Sequence, residues 1–245
     1  MSPGDAERAY QVIRCQIIEG VYLSGARLVE QQIADHLHMS RTPVREALRR
    51  LESEGLIVVE RNRGAHVRRL SRVDIVDLYE VRARLEAYVA EVAARRAQPD
   101  QVAALRDAAA DFERVAVGRH ATTVGQAEAR ELMAANTEFH DQLLACGSSP
   151  GALGLLDRAV DLPLVFESFR SFGVVELRRS SMFHHLIADA VASGEPERAG
   201  RLTTEHVLQG RDVLINSIDP TGPVKSTSPA GTAISHEFQN LLEVQ

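Results

Sequence analysis

Residues 40–56 combine the period of an α-helix with a clear separation of apolar from basic side chains. The apolar positions follow the spacing i, i+3, i+4, i+7: Val44, Ala47, Leu48 and Leu51. Three arginines fall on the opposite face: Arg41, Arg45 and Arg49. Ser40 or Thr42 is suited to cap the start of this helix, and Gly55 is suited to end it. The pattern predicts a helix that packs one face on a core and turns an arginine face outward.

Two shorter helices precede this one, and two short strands follow it. Apolar residues at helical spacing predict a first helix over about 6–19 and a second around 33–37. Two β-prone runs follow within 56–67, on either side of a basic turn over 61–64. Helix, helix, basic helix and wing is the order of a winged helix-turn-helix, whose third helix enters the DNA major groove. We therefore predict a DNA-binding domain of this type over residues 1–70.

The basic residues are concentrated where this domain is predicted. All but one of the 28 basic residues are arginine, although the net charge is −6. Residues 1–70 hold 11 arginines against 9 acidic residues, whereas residues 71–245 hold 17 basic against 25 acidic residues. A positive N-terminal part favours a polyanionic partner such as DNA. Taken alone, an arginine-rich helix face is more commonly a solvated surface.

Other features of the sequence argue against several classes of protein. Cys15 and Cys146 stand 131 positions apart without a CxxC motif, which argues against a disulfide scaffold and a cysteine zinc cluster. No apolar run approaches the roughly 20 residues that span a bilayer. Asp5 and Glu7 fall where a signal peptide would be basic and then apolar. The sequence therefore favours a cytoplasmic protein.

The stretch from Ser40 to Leu56 closely resembles the recognition helix of the GntR family of bacterial transcription regulators. The resemblance covers about residues 6–70, because residues 20–37 also resemble that family's first and second helices. It implies that the third helix contacts the major groove and that the wing approaches the adjacent minor groove. Arginine can pair with guanine O6 and N7, and hydroxyls bind phosphate oxygens. The candidate DNA contacts are Gln31, Ser40, Arg41, Thr42, Arg45, Arg49, Arg61, Arg63 and Gly64.

From Ser71 onward the sequence is a series of helical patterns. Ser71 and Asp74 have the spacing of a capping box, so a second domain is predicted to begin here. Helices are predicted over about 72–97, 99–118, 124–145, 150–169, 175–193 and 196–217. No strand pattern interrupts them, so residues 71–218 predict an all-α bundle. The Ser-, Thr-, Pro- and Gly-rich segment 219–245 is predicted to be a flexible tail.

Four polar side chains of this predicted bundle have spacings that suit a shared site. Asn136 and His140 are related by i, i+4 and share a helix face. His184 and His206 are 22 residues apart on consecutive helices, and an antiparallel arrangement brings them level. The register to His206 favours His184 over His185. Each histidine taken alone is more commonly a hydrogen-bonded core residue than a metal ligand.

Residues 72–217 resemble the FCD ligand-binding domain, the FadR-type C-terminal domain of the GntR family. The resemblance is carried by 79–86, by 136–140 and by the segment from His184 to His206. It implies a small carboxylate effector and a divalent metal ion. The implied metal ligands are Asn136, His140, His184 and His206. Asparagine in the first position removes a negative charge from the ligand shell, which is expected to weaken metal binding. Zinc is the expected ion, with nickel, manganese and iron as alternatives.

Arg82, on the first helix of the predicted bundle, is the candidate that binds the effector. A guanidinium group presents a planar fork of donors that matches a carboxylate. Two alternatives stay open: Arg84 could take this role, or Arg82 could pair with Glu86 for structural reasons.

Together these patterns predict a dimeric transcription regulator, not an enzyme, that binds a palindromic operator. The resemblance implies a repressor that a small organic acid controls by favouring one placement of its DNA-binding domains. A regulator that senses metal alone is one alternative. A metal-dependent hydrolase is another, since three histidines around an ion can activate water. The sequence has no HExxH motif, and Glu138 falls on a different helix face from His140.

Overall fold

The computed structural model of the chain describes residues 3–61, 63–117, 124–146, 160 and 162–217. Within these residues the chain forms nine helices and one three-stranded sheet. The helices are α1 (Pro3–Ile18), α2 (Glu30–His36), α3 (Arg41–Ser53), α4 (Arg72–Arg96), α5 (Pro99–Val117), α6 (Gln126–Ala145), α7 (Leu162–Ser171), α8 (Val174–Ala192) and α9 (Pro196–Ser217). The strands are β1 (Arg27–Leu28), β2 (Ile57–Glu60) and β3 (Gly64–Val67). The mainly helical class predicted from the sequence is confirmed.

Helices α1 to α3 and the sheet enclose one hydrophobic core. Its members include Ile13, Ile17, Leu28, Ile33, Val44, Leu48, Leu51, Ile57 and Val67. The four apolar positions predicted for α3 are all buried, which leaves its arginine face exposed. Helix α1 packs along α3, so the position of the arginine face depends on α1.

The wing has three strands rather than the two predicted. Strand β3 lies in the middle and pairs antiparallel with β2 on one side and β1 on the other. Val59 pairs with Ala65, and Arg27 pairs with His66. Strand β1 has only two residues, too few for an alternating pattern to be recognised in the sequence. It attaches the wing to the segment between α1 and α2.

Helices α4 to α9 form the predicted bundle. Helix α9 packs along α4, and α5 packs between α6 and α8. The capping box predicted at the start of α4 is formed: the Ser71 amide donates to Asp74 Oδ2 at 2.8 Å, and Ser71 Oγ accepts from the Asp74 amide at 3.2 Å. None of the helices in the described part of the chain is long and apolar enough to cross a membrane.

Some sequence predictions fall wholly or partly outside the described residues. Of the helix predicted over 150–169, only Val160 and the part from Leu162 are described, and α7 continues to Ser171. The predicted tail over 219–245 lies outside the described residues altogether.

Candidate DNA interface and candidate metal centre

Helix α3 presents its predicted DNA-contacting side chains to solvent. Ser40, Thr42 and Arg49 are exposed. The side chains of Arg41 and Arg45 are 55% and 48% exposed. Ser40 is the N-cap residue, but its hydroxyl makes no capping hydrogen bond. An exposed hydroxyl at the start of this helix is in a position to bind a phosphate oxygen.

A single carboxylate links the first two arginines of this face. Glu30, the first residue of α2, accepts hydrogen bonds from Arg45 Nε at 3.1 Å and from Arg45 Nη2 at 2.9 Å. It also accepts one from Arg41 Nη2 at 3.0 Å. These hydrogen bonds, led by those from Arg45, lower the pKa of the Glu30 carboxyl to about 2. Glu30 is therefore ionised wherever the protein is folded at ordinary pH.

The other polar side chains of this half divide between surface and structural positions. Gln31 is exposed and donates to Asp35 Oδ1 at 2.7 Å, so its amide is engaged within α2. Arg50 is held by the protein itself: its guanidinium lies 3.5 Å from the centre of the Tyr10 ring and is paired with Glu7. Arg50 therefore connects α3 to α1 rather than extending the arginine face.

The wing presents its predicted residues at its tip. Arg61, Arg63 and Gly64 are exposed, and Arg63 Nη1 donates to Glu60 Oε2 at 3.2 Å. Gly64 has φ +86°, a left-handed conformation that glycine adopts without strain. Asn62 lies outside the described residues. The exposed arginines at this turn are available to approach a minor groove.

Three predicted metal ligands meet inside the bundle. His184 Nε2 lies 3.1 Å from His206 Nε2, which lies 3.3 Å from His140 Nε2. The ligand atoms of the three histidines are all within 4.8 Å of one another. They come from α6, α8 and α9, and the His184 side chain is fully buried against Phe139, with ring centres 3.9 Å apart. Packing of these helices thus brings three histidines that are distant in the sequence into one cluster.

Neutral imidazoles are favoured at two of these positions. Burial, followed by the neighbouring His140, lowers the pKa of His206 to about 3. Burial and the neighbouring histidines place the pKa of His184 well below its ordinary value of 6.5. The Nδ1 atoms of both residues are buried without a hydrogen-bond partner in the described part of the chain. A neutral imidazole with an available lone pair is the form that binds a metal ion.

His140 is oriented by a buried carboxylate on α4. Its Nδ1 lies 2.9 Å from Glu86 Oε2, which leaves Nε2 facing the other histidines. The other carboxylate oxygen of Glu86 accepts a hydrogen bond from Arg82 Nε at 2.5 Å. Burial alone would raise the pKa of Glu86, but Arg82 and His140 outweigh it and the pKa is lowered. A carboxylate behind a histidine is the usual arrangement around metal-ligating imidazoles.

The fourth predicted metal ligand and the predicted effector-binding arginine lie at a small cavity beside this cluster. Asn136 and Arg82 are 6% and 7% exposed, and both line a cavity of about 30 Å³ together with His206. Other polar lining groups come from Tyr79, Ser168 and Ser180. Arg82 therefore faces the cavity and also makes the pairing with Glu86 that the sequence left open. Arg84 is exposed and pairs with Glu80, so it is away from the cavity.

Burial distinguishes His184 from His185, the two neighbouring candidates for one metal ligand. His184 belongs to the cluster, whereas His185 is exposed and lies 3.0 Å from Glu113 Oε2 on α5.

Sequence reasoning missed two acidic residues. Glu30 is 11 and 15 positions from the arginines it binds, and no periodic pattern joins residues at that separation. Glu86 was considered only as a partner of Arg82. Glu86 lies four residues after Arg82 on the same face of α4, and this spacing was the signal for their pairing. Its contact with His140 could not be predicted, because it depends on how α4 and α6 pack.

Comparison with known proteins agrees with the family resemblance predicted for each half of the chain. Residues 5–67 match the family model of the bacterial regulatory proteins of the gntR family, and residues 77–209 match that of the FCD domain. The Nta operon transcriptional regulator of Aminobacter aminovorans is 29% identical over 79% of this chain and 87% of its own length. A probable D-xylose utilization operon transcriptional repressor of Paenarthrobacter nicotinovorans is 28% identical over 82% of this chain and 85% of its own.

A solved structure supports the same assignment. A putative GntR transcriptional regulator from Rhodococcus sp. RHA1 is 25% identical, with a TM-score of 0.66 over 87% of this chain and 99% of that one. The family and these relatives are transcription regulators rather than enzymes, so the predicted absence of enzymatic function is confirmed and the hydrolase alternative is rejected. With an arginine-faced third helix, a wing and a histidine-lined helical bundle in that order, this chain belongs to the GntR family of DNA-binding transcription regulators and carries an FCD domain.

Proposed function

We propose that this regulator is a cytoplasmic, dimeric repressor whose affinity for a palindromic operator depends on ligands bound in the helical bundle. The ligands are a divalent metal ion, zinc by preference, and a small carboxylate. In this proposal residues 1–70 bind DNA, residues 71–218 bind the ligands, and the segment 219–245 is a flexible tail. The D-xylose relative is named as a repressor, which supports the same sign of regulation here.

The observation that carries the metal part of the proposal is the convergence of three imidazole Nε2 atoms. Their separations of 3.1 and 3.3 Å bring the three ring nitrogens together in one small space. A modest adjustment of the rings would allow all three to bind one ion at about 2.0–2.1 Å. The Glu86 support of His140 agrees with this assignment.

Asn136 would complete the ligand set from the next turn of α6. Its amide oxygen is a neutral ligand, so the ion keeps more of its positive charge than it would beside an aspartate. A bound divalent ion would supply a positive charge that attracts an organic anion into the cavity. Arg82 would bind the carboxylate of that anion from the α4 side.

A regulator that senses metal alone is the second candidate, and the size of the cavity favours it. A space of about 30 Å³ is small for an organic acid, although it suits an ion and an attached water. Binding of an effector in the first proposal therefore requires the helices around Arg82 to separate slightly.

Metal binding can be tested by titrating the chelator-treated full chain with zinc in a calorimeter. We expect one site per chain, and we expect His206→Asn to weaken binding by at least about tenfold. His185→Asn is the matched control, because His185 is an exposed histidine on the same helix as His184, and it should bind zinc as the wild type does. Equal affinity in all three proteins would rule out the proposed site.

The effector can be tested on the same proteins by thermal shift. Acetate, lactate and malonate are suitable probes, each with and without zinc. An increase in Tm that needs both zinc and a carboxylate supports the first proposal. An increase with zinc alone, unchanged by every carboxylate, supports metal sensing.

A further inference from the structure

Glu30 joins two helices of the DNA-binding half through two arginines of the predicted interface. Its carboxylate binds Arg41 and Arg45, which are 11 and 15 residues away and lie one turn apart on α3. Within the wing, by contrast, Arg63 pairs with Glu60 only three residues away. One acidic side chain therefore fixes two guanidinium groups relative to each other.

The hydrogen bonds to Glu30 use one edge of the Arg45 guanidinium and leave the donors of its other edge unused by Glu30. Glu30 uses Arg45 Nε and Nη2, which form one edge of the planar group. The remaining fork has one N–H on Nη1 and one on Nη2, and this is a suitable pair of donors for guanine O6 and N7. The carboxylate thus restricts the rotation of Arg45 without consuming the donors that contact a base.

The partial exposure of these pairs limits their contribution to fold stability. The Glu30 side chain is 27% exposed, and the arginines are about half exposed. Solvent screens ion pairs at such exposure, so they add less to stability than buried pairs do. A carboxylate next to a phosphate backbone also weakens electrostatic attraction to DNA of any sequence. Glu30 therefore lowers general affinity, and a benefit in sequence discrimination would offset that cost.

We propose that Glu30 is a positioning residue that determines sequence specificity, by holding Arg41 and Arg45 in the orientation that contacts guanine bases. Without Glu30, both arginines turn freely toward the nearest phosphates. Sequence-independent binding then becomes tighter, while specific binding loses its orienting constraint. These opposite effects distinguish a positioning residue from one that only maintains the fold.

The first experiment selects binding sites from a random duplex library with the full-length wild type and with Glu30→Gln. Fluorescence anisotropy then measures Kd for the wild-type-selected duplex and for a scrambled duplex of the same composition, at one salt concentration. We expect Glu30→Gln to lower the ratio of specific to non-specific affinity by at least about tenfold, with equal or tighter non-specific binding. Glu60→Gln removes the acidic partner of Arg63 in the wing and should leave the ratio within about twofold of wild type.

A second experiment shows whether Glu30 acts through the two arginines. Glu30→Gln added to the Arg41→Ala, Arg45→Ala double variant should lose no more specificity than that double variant alone. Additive losses would mean that Glu30 contacts DNA independently, which overturns the proposal. An unchanged selected site and an unchanged affinity ratio in Glu30→Gln would also overturn it.

Folding of the variants is controlled by their melting temperatures and by a third substitution. Glu30→Asp keeps the charge but is too short to reach both arginines, so its specificity should fall as in Glu30→Gln. Wild-type specificity in a folded Glu30→Asp protein would contradict the two-arginine arrangement.

Discussion

At the scale of single residues, the site depends on two buried groups that neutralise each other. Glu86 is 3% exposed, and its charge is balanced by Arg82 and by contact with His140. The same contact sets which nitrogen of His140 faces the cluster. One carboxylate thus connects the predicted effector-binding arginine to a predicted metal ligand, which gives a route by which each ligand could influence the other.

The buried histidines predict a specific dependence of stability on pH. The pKa values of His184 and His206 are lowered mainly by burial, to about 3 for His206. The unfolded chain takes up protons near the ordinary value of 6.5, so it binds more protons than the folded chain below that pH. The metal-free protein should therefore be most stable above this value, and its free energy of unfolding should fall steadily as the pH is lowered toward 3.

Urea denaturation in the presence of a chelator, from about pH 7 to about pH 5, measures this dependence. His206→Gln should show a shallower loss of stability than the wild type. His185→Gln is the matched control, because His185 is exposed, and it should keep the wild-type slope. Equal slopes in the wild type and His206→Gln would contradict the prediction.

At the scale of elements, α6 connects the two halves of the molecule. Glu19 follows α1 and is 7% exposed, and it is bound by two nitrogens of Arg130 on α6, with Nη2 at 2.6 Å from Oε2. Ile18, Ala129 and Phe166 pack beside this pair. Helix α6 also carries Asn136 and His140 further along, so the DNA-binding half is attached to a helix that lines the predicted ligand site.

Removing Arg130 should therefore destabilise the protein. Arg130→Ala leaves the nearly buried Glu19 carboxylate without its main charge partner, and we expect the free energy of unfolding to fall by about 1–3 kcal/mol. Arg106→Ala is the control, because Arg106 and Asp189 form an exposed pair at 3.0 Å. Its expected cost is about 0–1 kcal/mol. Urea denaturation would reject the prediction if the two variants lost equal stability.

Elements with a strong local signal could be predicted from the sequence. The arginine-faced helix, the capping box at Ser71 and the order of helices in the bundle all depend on residues close together in the chain. Strand β1 could not be predicted, because two residues carry no period. The contacts of Glu30 and Glu19 could not be predicted either, because they depend on how separate helices pack. The sequence could predict only that a suitable register between the helices would bring the histidines together.

At the scale of the whole molecule, the proposed ligands of the bundle would act on DNA through the placement of the two halves. A ligand can shift this placement only by binding one arrangement more tightly than the other. The ion pair between Glu19, which follows α1, and Arg130 on α6 joins the halves directly, and α1 packs against α3. In the proposed mechanism, a change in the histidine cluster would reach the arginine face through α6 and α1.

We propose that binding of a metal ion to the histidine cluster controls the affinity of the protein for its operator. The most direct test is fluorescence anisotropy of the wild-type-selected duplex with the full chain in three states: with chelator, with zinc, and with zinc plus lactate, malonate or acetate. We predict that Kd differs by at least about fivefold between the chelator state and one loaded state. The difference should disappear in His206→Asn and persist in His185→Asn. A wild-type Kd that is the same in all three states would contradict the account.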